Sequence, residues 1–524
     1  MGMIKKRSPI RRITPGMLAL FLLAGCSVPE YGIVPDEGGP AFPGREELLA
    51  SLPLRLITGN SDAAESSMEL QALSRITFKE VPPFGEIEAD EIVVFRDILL
   101  PVVDLHDPGG SLSSGPFMDH YRNGTALPGN ITIISLGESA LPLRGVPLDG
   151  MYFDDPEYPL IRRIVIRLDE IPLGEPESVT EKIAAGLSRS KREEELRLRR
   201  EKLSDWLEAL RASAEAMESE ELEIAWIASV GDMMPGRGVS SLLEQKDGVS
   251  KVLGSLLPLL RSNHIMAGNF EGTLSRGRKA TPKSYNFSFP VSVLPRLHEA
   301  GFDYLSLTNN HIWDFGEGGF LDTLAALEGS ALVTSGAGRD VKEASKPWIS
   351  QAGTEQVAVL SVGAYPTELN GFDGRTEAAA EKDKPGILFT GKGARKAVSE
   401  AFSGDTFNIL YVHGGHEWQR KPAPEYEALY RSFVDLGADL VIGSHPHVLQ
   451  RMEAYKGSLI AYSLGNFIFP GMEEMAWAED SLVLRTGIFA GKIVYAEAIP
   501  AVISGRTVKL DADPDALHRF LKLP

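Results

Sequence analysis

From Ile224 onward the chain alternates short apolar runs with loops and helix-like stretches. Ile224–Val230 stops at Gly231-Asp232, Asn408–Val412 at His413, Leu440–Ile442 at Gly443-Ser444-His445, and Leu459–Leu464 at Gly465-Asn466; Val359–Val362 is a further run. Runs this short and continuous predict buried strands of an α/β sheet. In such a sheet, ligand-binding groups collect in the crevice beyond the strand C-termini. Here polar and ionisable residues follow the runs repeatedly.

Upstream, residues 49–172 alternate apolar runs with turns and predict a small α/β or α+β domain. Its strands are expected at Leu52–Ile57 (an edge, because of Pro53), Glu91–Phe95, Leu99–Val103, Ile131–Ser135 and Ile161–Leu168. Residues 173–222 differ. Lys191–Arg200 is mostly Glu, Arg and Lys, and Leu203, Trp206, Leu207 and Leu210 follow at helical spacing. Mixed charges on such a stretch predict a solvated, amphipathic helical linker. The apolar repeat is too brief for a coiled coil.

At 524 residues the chain has room for two or three domains. Its net charge of −19 excludes the basic footprint that nucleic-acid binding needs. No Gly-rich phosphate loop or dinucleotide fingerprint occurs, so no nucleotide cofactor is expected. The single cysteine, Cys26, rules out an internal disulfide and sits in an informative place. Lys5, Lys6, Arg7, Arg11 and Arg12 precede an apolar stretch, Met17–Ala24, which is too short to span a bilayer. Leu23-Ala24-Gly25-Cys26 resembles a bacterial lipobox. The resemblance implies a signal peptide over 1–25, a lipid on Cys26, and a location in the cell envelope. In a Gram-negative cell that means the outer membrane or periplasmic face. Residues 26–48, rich in Gly, Pro and acids, read as a tether.

The strand-end residues suggest the chemistry. Asp232, Glu271, Asn310, His311, His413, His445 and His447 combine carboxylate, amide and imidazole groups without thiolates. Such a set suits Mn²⁺, Fe²⁺ or Zn²⁺. Two such ions about 3.5–4 Å apart activate a water and stabilise a leaving oxygen.

Five segments resemble the bacterial capsule-synthesis family CapA (the PGA-cap domain). They are Gly231–Arg237; Asn269-Phe270-Glu271; Ser306–His311 with Asp314-Phe315-Gly316; His413–Trp418; and Gly437–Gln450, followed by Tyr462–Ile468. The match runs from about 224 to 505. It implies a calcineurin-like metallophosphoesterase-type αββα domain over 223–524, and work on capsule or poly-γ-glutamate polymers and their synthesis machinery. It further implies Asp232, Glu271, Asn310, His413, His445 and His447 as metal ligands, with Glu271 bridging and His311 protonating the leaving group. The phosphoesterase Asp-x-His is here Asp232-Met233-Met234. A thioether is a poor ligand for such cations, so one ion rather than two is an open alternative. The protein is then either a metal-dependent hydrolase of phosphoester or amide bonds, or a non-catalytic scaffold with a degraded site. The family's His-Trp-Gly-x-Glu-Tyr is His413-Gly-Gly-His-Glu-Trp418 here; Glu417 is retained and the first aromatic is lost.

Some roles stay open. Asp314 either orients His311 or caps the helix expected at Glu317–Leu327. Arg237 either clamps an anionic substrate group or pairs with a neighbouring acid. Glu417 fits a ligand or a base. Tyr462 and Asn466 fit the cleft wall or buried strand ends. Asp97–Asp104, Gly145-Val146-Pro147 and Glu157–Leu160 faintly resemble periplasmic solute-binding proteins. That resemblance adds a solute-sensing reading for residues 49–172.

Overall fold

The computed structural model describes residues 222–524, except Arg276 and Ser403, together with parts of 78–167 and the single positions Glu208 and Ala212. The expected signal, Cys26, the tether, the strand at 52–57 and nearly all of the 173–222 linker lie outside the described residues. No described helix is long and apolar enough to cross a membrane.

The upstream sheet contains β1 (Phe78–Val81), β2 (Glu91–Asp104), β3 (Thr132–Ser135), β4 (Leu143–Gly145) and β5 (Ile161–Arg167). Its order is β1-β5-β2-β3, with β4 also on β2, and every pairing is antiparallel. The runs at 91–95 and 99–103 are one strand. The charged Arg96-Asp97 between them continues the ladder opposite Arg163 and Arg162.

The larger part holds two six-stranded sheets. Its strands are β6 (Ala225–Met233), β7 (Ile265–Phe270), β8 (Tyr304–Ser306), β9 (Ala337–Gly338), β10 (Trp348–Ala352), β11 (Glu355–Ala364), β12 (Gly386–Ile387), β13 (Phe407–Gly414), β14 (Leu440–Ser444), β15 (Met452–Tyr455), β16 (Ser458–Ala461), β17 (Asp480–Phe489), β18 (Lys492–Ser504) and β19 (Thr507–Leu510). One sheet runs β19-β18-β17-β6-β7-β8, the other β10-β11-β13-β14-β16-β15, and β9 pairs with β12.

Side-chain alternation along each strand explains the layers. Ile227, Ala267 and Leu484 of the first sheet meet Val359, Ile409, Leu440 and Leu459 of the second in one apolar cluster. The opposite face of the first sheet (Ala228, Val230, Met266, Leu305) packs on Val249, Val252, Leu297, Phe320 and Leu324 of the helices Gly248–Leu253, Val293–Glu299 and Gly316–Glu328. The outer face of the second sheet (Ala358, Leu360, Leu410, Val412, Val441) packs on Ala394, Val398, Tyr430 and Phe433 of the helices Lys392–Ala401 and Pro424–Val434. Each of the larger apolar side chains contributes about 1.5–3 kcal/mol by leaving water. The result is the expected helix–sheet–sheet–helix sandwich.

The upstream sheet shares an apolar cluster with this sandwich, formed by Leu100, Val102, Phe153 and Tyr158 with Ile224, Trp226 and Tyr495. Tyr152 packs edge-on against both Trp226 and Tyr495. Arg485 covers the Trp226 ring at 3.5 Å.

Strands β6, β7 and β8 run parallel, as do β11, β13, β14 and β16. Their C-terminal ends therefore gather on one side of the sandwich. The β6–β7 ladder shifts register between Ser229 and Asp232, an irregularity of the kind that re-aims a side chain. Beyond it, Asp232 N–H donates to Gly465 O (2.9 Å) and Phe467 N–H to Asp232 O (2.8 Å). Gly231 makes this crossing feasible: a Cβ there would lie 1.9 Å from Gly465 O.

Candidate metal centre

The strand ends bring Asp232, Glu271, His413, His445 and His447 together, none more than 4% exposed. Asp232 lies near the end of β6, Glu271 follows β7, His413 is on β13, and His445 and His447 follow β14. The two histidines after β14 have positive φ, 100° and 58°. Non-glycine residues hold such angles only where surroundings enforce them, at about 1–3 kcal/mol each. One enforcing contact is visible: Asp232 Oδ2 accepts from His445 N–H at 3.0 Å.

Ligand atoms of Asp232, Glu271 and His413 lie within 4.8 Å of one another, and those of Glu417, His445 and His447 do the same. His413 Nε2 is 3.0 Å from Asn310 Oδ1 and 3.1 Å from His445 Nδ1. Its Nδ1 is 2.9 Å from Ser444 Oγ. Asn310 presents its oxygen inward because its amide N–H donates to Glu368 Oε1 (3.2 Å). His447 Nδ1 lies 2.9 Å from Asn466 Oδ1 and 3.3 Å from Asp232 Oδ2, while its Nε2 faces Glu271 Oε1 at 3.6 Å. Glu271 Oε1 is buried without a hydrogen-bond partner. An orphaned carboxylate oxygen facing imidazole nitrogens fits a divalent cation, and no thiolate argues for a softer ion.

The protonation states point the same way. Burial lowers His445, and it pushes His413 down to about 3 against the opposing charge of Asp232; neutral imidazoles are metal ligands. Burial and the charge of Asp232 raise Glu271 well above the usual carboxylate value. Burial also works against charge on Asp232, but the His447 hydrogen bond and the charges of His413 and His447 hold it below the usual carboxylate range. Burial lowers His447, yet Glu271 and Asp232 outweigh it and raise it to about 10.

His311 stands at the rim of this cluster. Its Nδ1 is 2.7 Å from Asp314 Oδ2 and its Nε2 is 3.7 Å from Glu271 Oε1. Phe287 stacks on its ring at 4.2 Å. Asp314 therefore orients His311. It does not cap the following helix, whose N-cap is Phe315, without a side-chain bond. Arg237 is exposed, and its Nη1 donates to Pro470 O (2.7 Å) and Gly471 O (2.9 Å). Glu417 is exposed on the loop after β13 and joins His445 and His447. Asn466 holds His447, whereas Tyr462 turns to Glu453, its hydroxyl donating at 2.8 Å. Met234 is buried in the apolar cluster behind the first sheet.

Sequence reasoning missed three supports. Asn269 Nδ2 donates to Asp232 Oδ1 at 2.8 Å and lies 3.2 Å from His413 Nδ1. Ser444 orients His413. Lys283 is the third: its side chain is 3% exposed, and it pairs with Asp314 Oδ1 (2.9 Å) and Glu368 Oε1 (2.7 Å). Its ammonium also donates to Asn310 O at 2.6 Å. The positions of Asn269, two residues before Glu271, and of Ser444, directly before His445, carried a sequence signal; Lys283 lies in a loop with no periodicity.

Removing Lys283 leaves Asp314 as an uncompensated buried charge. Lys283→Met is expected to cost about 3–5 kcal/mol in urea unfolding. Lys283→Met with Asp314→Asn is expected to recover a large part of that loss, as a double-mutant cycle would show. A second expectation concerns protons. Against burial, Glu271 and Asp232 raise His447 to about 10, so the metal-free site is expected to hold a proton there at neutral pH, and a metal ligand must shed it. Mn²⁺ uptake should therefore release protons, and affinity should rise with pH from about 7 toward 10. Calorimetry in buffers of different ionisation enthalpy checks both.

The sequence has relatives among known proteins. The family model "Bacterial capsule synthesis protein PGA_cap" matches residues 226–471. The capsule biosynthesis protein CapA of Bacillus anthracis is 32% identical over 330 residues, covering 60% of this chain and 77% of that protein. The PGA biosynthesis protein CapA of Bacillus subtilis (strain 168) is 33% identical over 243 residues, 46% of this chain and 62% of its own length. A phosphatase structure from Mycoplasma pneumoniae overlaps 56% of this chain and 97% of its own, at 15% identity and TM-score 0.36. With a relative matched at this identity over more than three quarters of its length, the chain belongs to the CapA family of bacterial capsule synthesis proteins.

Proposed function

We propose that this chain works at the cell envelope in the synthesis or export of a capsule-type polymer, of which poly-γ-glutamate is the model, through a divalent-metal hydrolase cleft. The same proposal includes lipid anchoring through Cys26, after removal of 1–25 and with 26–48 as tether. It also takes 49–172, 173–222 and 223–524 as upstream domain, helical linker and CapA-type domain. The observation that carries the cleft is Glu271 Oε1, buried without a hydrogen-bond partner, grouped with the ligand atoms of Asp232 and His413 and faced by His447 Nε2 at 3.6 Å. Support for the polymer comes from the relatives' names, which speak of capsule and PGA biosynthesis.

Asp232, Glu271, Asn310, His413, His445 and His447 would hold Mn²⁺, Fe²⁺ or Zn²⁺. Such an ion, when bound, polarises a phosphoryl or carbonyl oxygen and lowers the pKa of water. The remaining work falls to the protein. Asp314 fixes the His311 ring through Nδ1 and leaves Nε2 turned toward the cluster, where it can deliver a proton to a departing oxygen or nitrogen. Lys283 pairs with Asp314 and holds it in place. The Phe287 ring shields one face of His311 from water.

Elemental analysis of the purified chain, supplied with Mn²⁺, is expected to find one or two equivalents of transition metal. An Asp232→Ala, His445→Ala double variant should lose them. On a panel of phosphoester and γ-glutamyl amide substrates, His311→Asn should keep its metal and lose about 10²–10⁴ in rate. Metal-free wild type under these conditions would overturn the cleft and leave a scaffold for polymer assembly as the better account.

A further inference from the structure

The Asp-x-His pattern of phosphoesterases lacks its histidine here, because Met234 fills that position. The structure shows where the thioether goes. Met234 Sδ lies 2.6 Å from where a Cβ on Gly236 would sit, with Phe289 beside it, inside the apolar cluster behind the sheet. A thioether packed there is a poor ligand for a borderline cation.

A different carboxylate reaches the same cluster from another element. Glu417, on the loop after β13, lies with ligand atoms of His445 and His447 inside a 4.8 Å group. The loop that carries it is pinned. Trp418 N–H donates to Pro446 O at 2.9 Å, and the Trp418 ring leans on His447 at 5.4 Å. Trp418 accepts a φ of 64° to make this turn. One residue further, Gln419 O accepts from Gln450 Nε2 at 2.6 Å. No lysine or arginine among the described residues pairs with Glu417. The two histidines it joins are buried and held at positive φ. Facing His447 Nε2 at 3.6 Å is Glu271 Oε1, buried and without a hydrogen-bond partner.

We propose that Glu417 supplies the ligand that Met234 does not, completing a second cation site with His445 and His447. The two sites are unequal. Asp232, Glu271 and His413 are closed off from water, so an ion among them exchanges slowly and binds tightly. The second site has one solvent-exposed carboxylate, so its ion exchanges with solvent and binds more weakly. The ligand class is a borderline divalent cation, since two imidazoles and one carboxylate select against Mg²⁺ and Ca²⁺. The inference rests on the metal-cleft reading above, and its test separates the two.

Mn²⁺ binding to the full purified chain, followed by electron paramagnetic resonance of the free ion, should resolve a tight and a weaker class. Glu417→Gln should keep the tight class and weaken the other by at least about tenfold. Glu417→His, which offers a nitrogen ligand, should retain the weaker class, which a merely structural role for Glu417 would not produce. Asp232→Asn should remove the tight class. Two classes unchanged in Glu417→Gln, or a single class indifferent to it, would overturn the proposal and leave the metal cleft standing. No Mn²⁺ bound by wild type would overturn both. Circular dichroism of each variant confirms the fold, and Glu417 is exposed, so its replacement leaves the core untouched.

Discussion

Two carboxylates and three imidazoles are shut away from water where two sheets present their strand ends. Desolvation of that many ionisable groups is the cost that the surrounding structure must offset. It does so in pairs. Asp232 accepts from His445 N–H and Asn269, and its other neighbours are His413 and His447. His413 is neutral and leans on Ser444. His447 lies between Asp232 and Glu271, whose charges raise it against burial and so favour its protonated, positively charged form. A bound cation is the natural replacement for that proton. The strained backbone at His445 and His447 is tolerable because the β14 end and the 463–468 segment are laced around it.

The same constraint organises the next layer outward. His311 is held by Asp314, Asp314 by Lys283, and Lys283 by Glu368 and the Asn310 carbonyl. Glu368 in turn fixes the Asn310 amide so that its oxygen looks toward His413. A single buried ammonium thus positions both the amide and the imidazole that face the cluster. Chains of buried polar groups like this stabilise only when every member is paired.

Much of the sandwich was legible because its central strands are buried on both faces and read as unbroken apolar runs. Asp232, His413 and His445 were legible for the related reason that each stands within three residues of the end of such a run. Strands β17 and β18 were not anticipated: Arg485 and Thr486 interrupt the apolar pattern of β17. Both are satisfied only in three dimensions, Arg485 by Glu497 at 3.1 Å and Thr486 by the Ile227 carbonyl at 3.2 Å. Lys283 and Glu368 were invisible for the same kind of reason, since their partners lie in loops distant in sequence. Asp314 was ambiguous in sequence between cap and orienter, and only the 2.7 Å contact to His311 decides it.

The central claim is that the strand-end cluster exists to hold a divalent cation. Anomalous diffraction at the manganese edge, from crystals grown with Mn²⁺, tests it most directly. The account predicts a strong peak bonded to Asp232, Glu271 and His413 ligand atoms. Crystals that diffract well and show no peak there, with His447 still bridging Asp232 and Glu271, would contradict it.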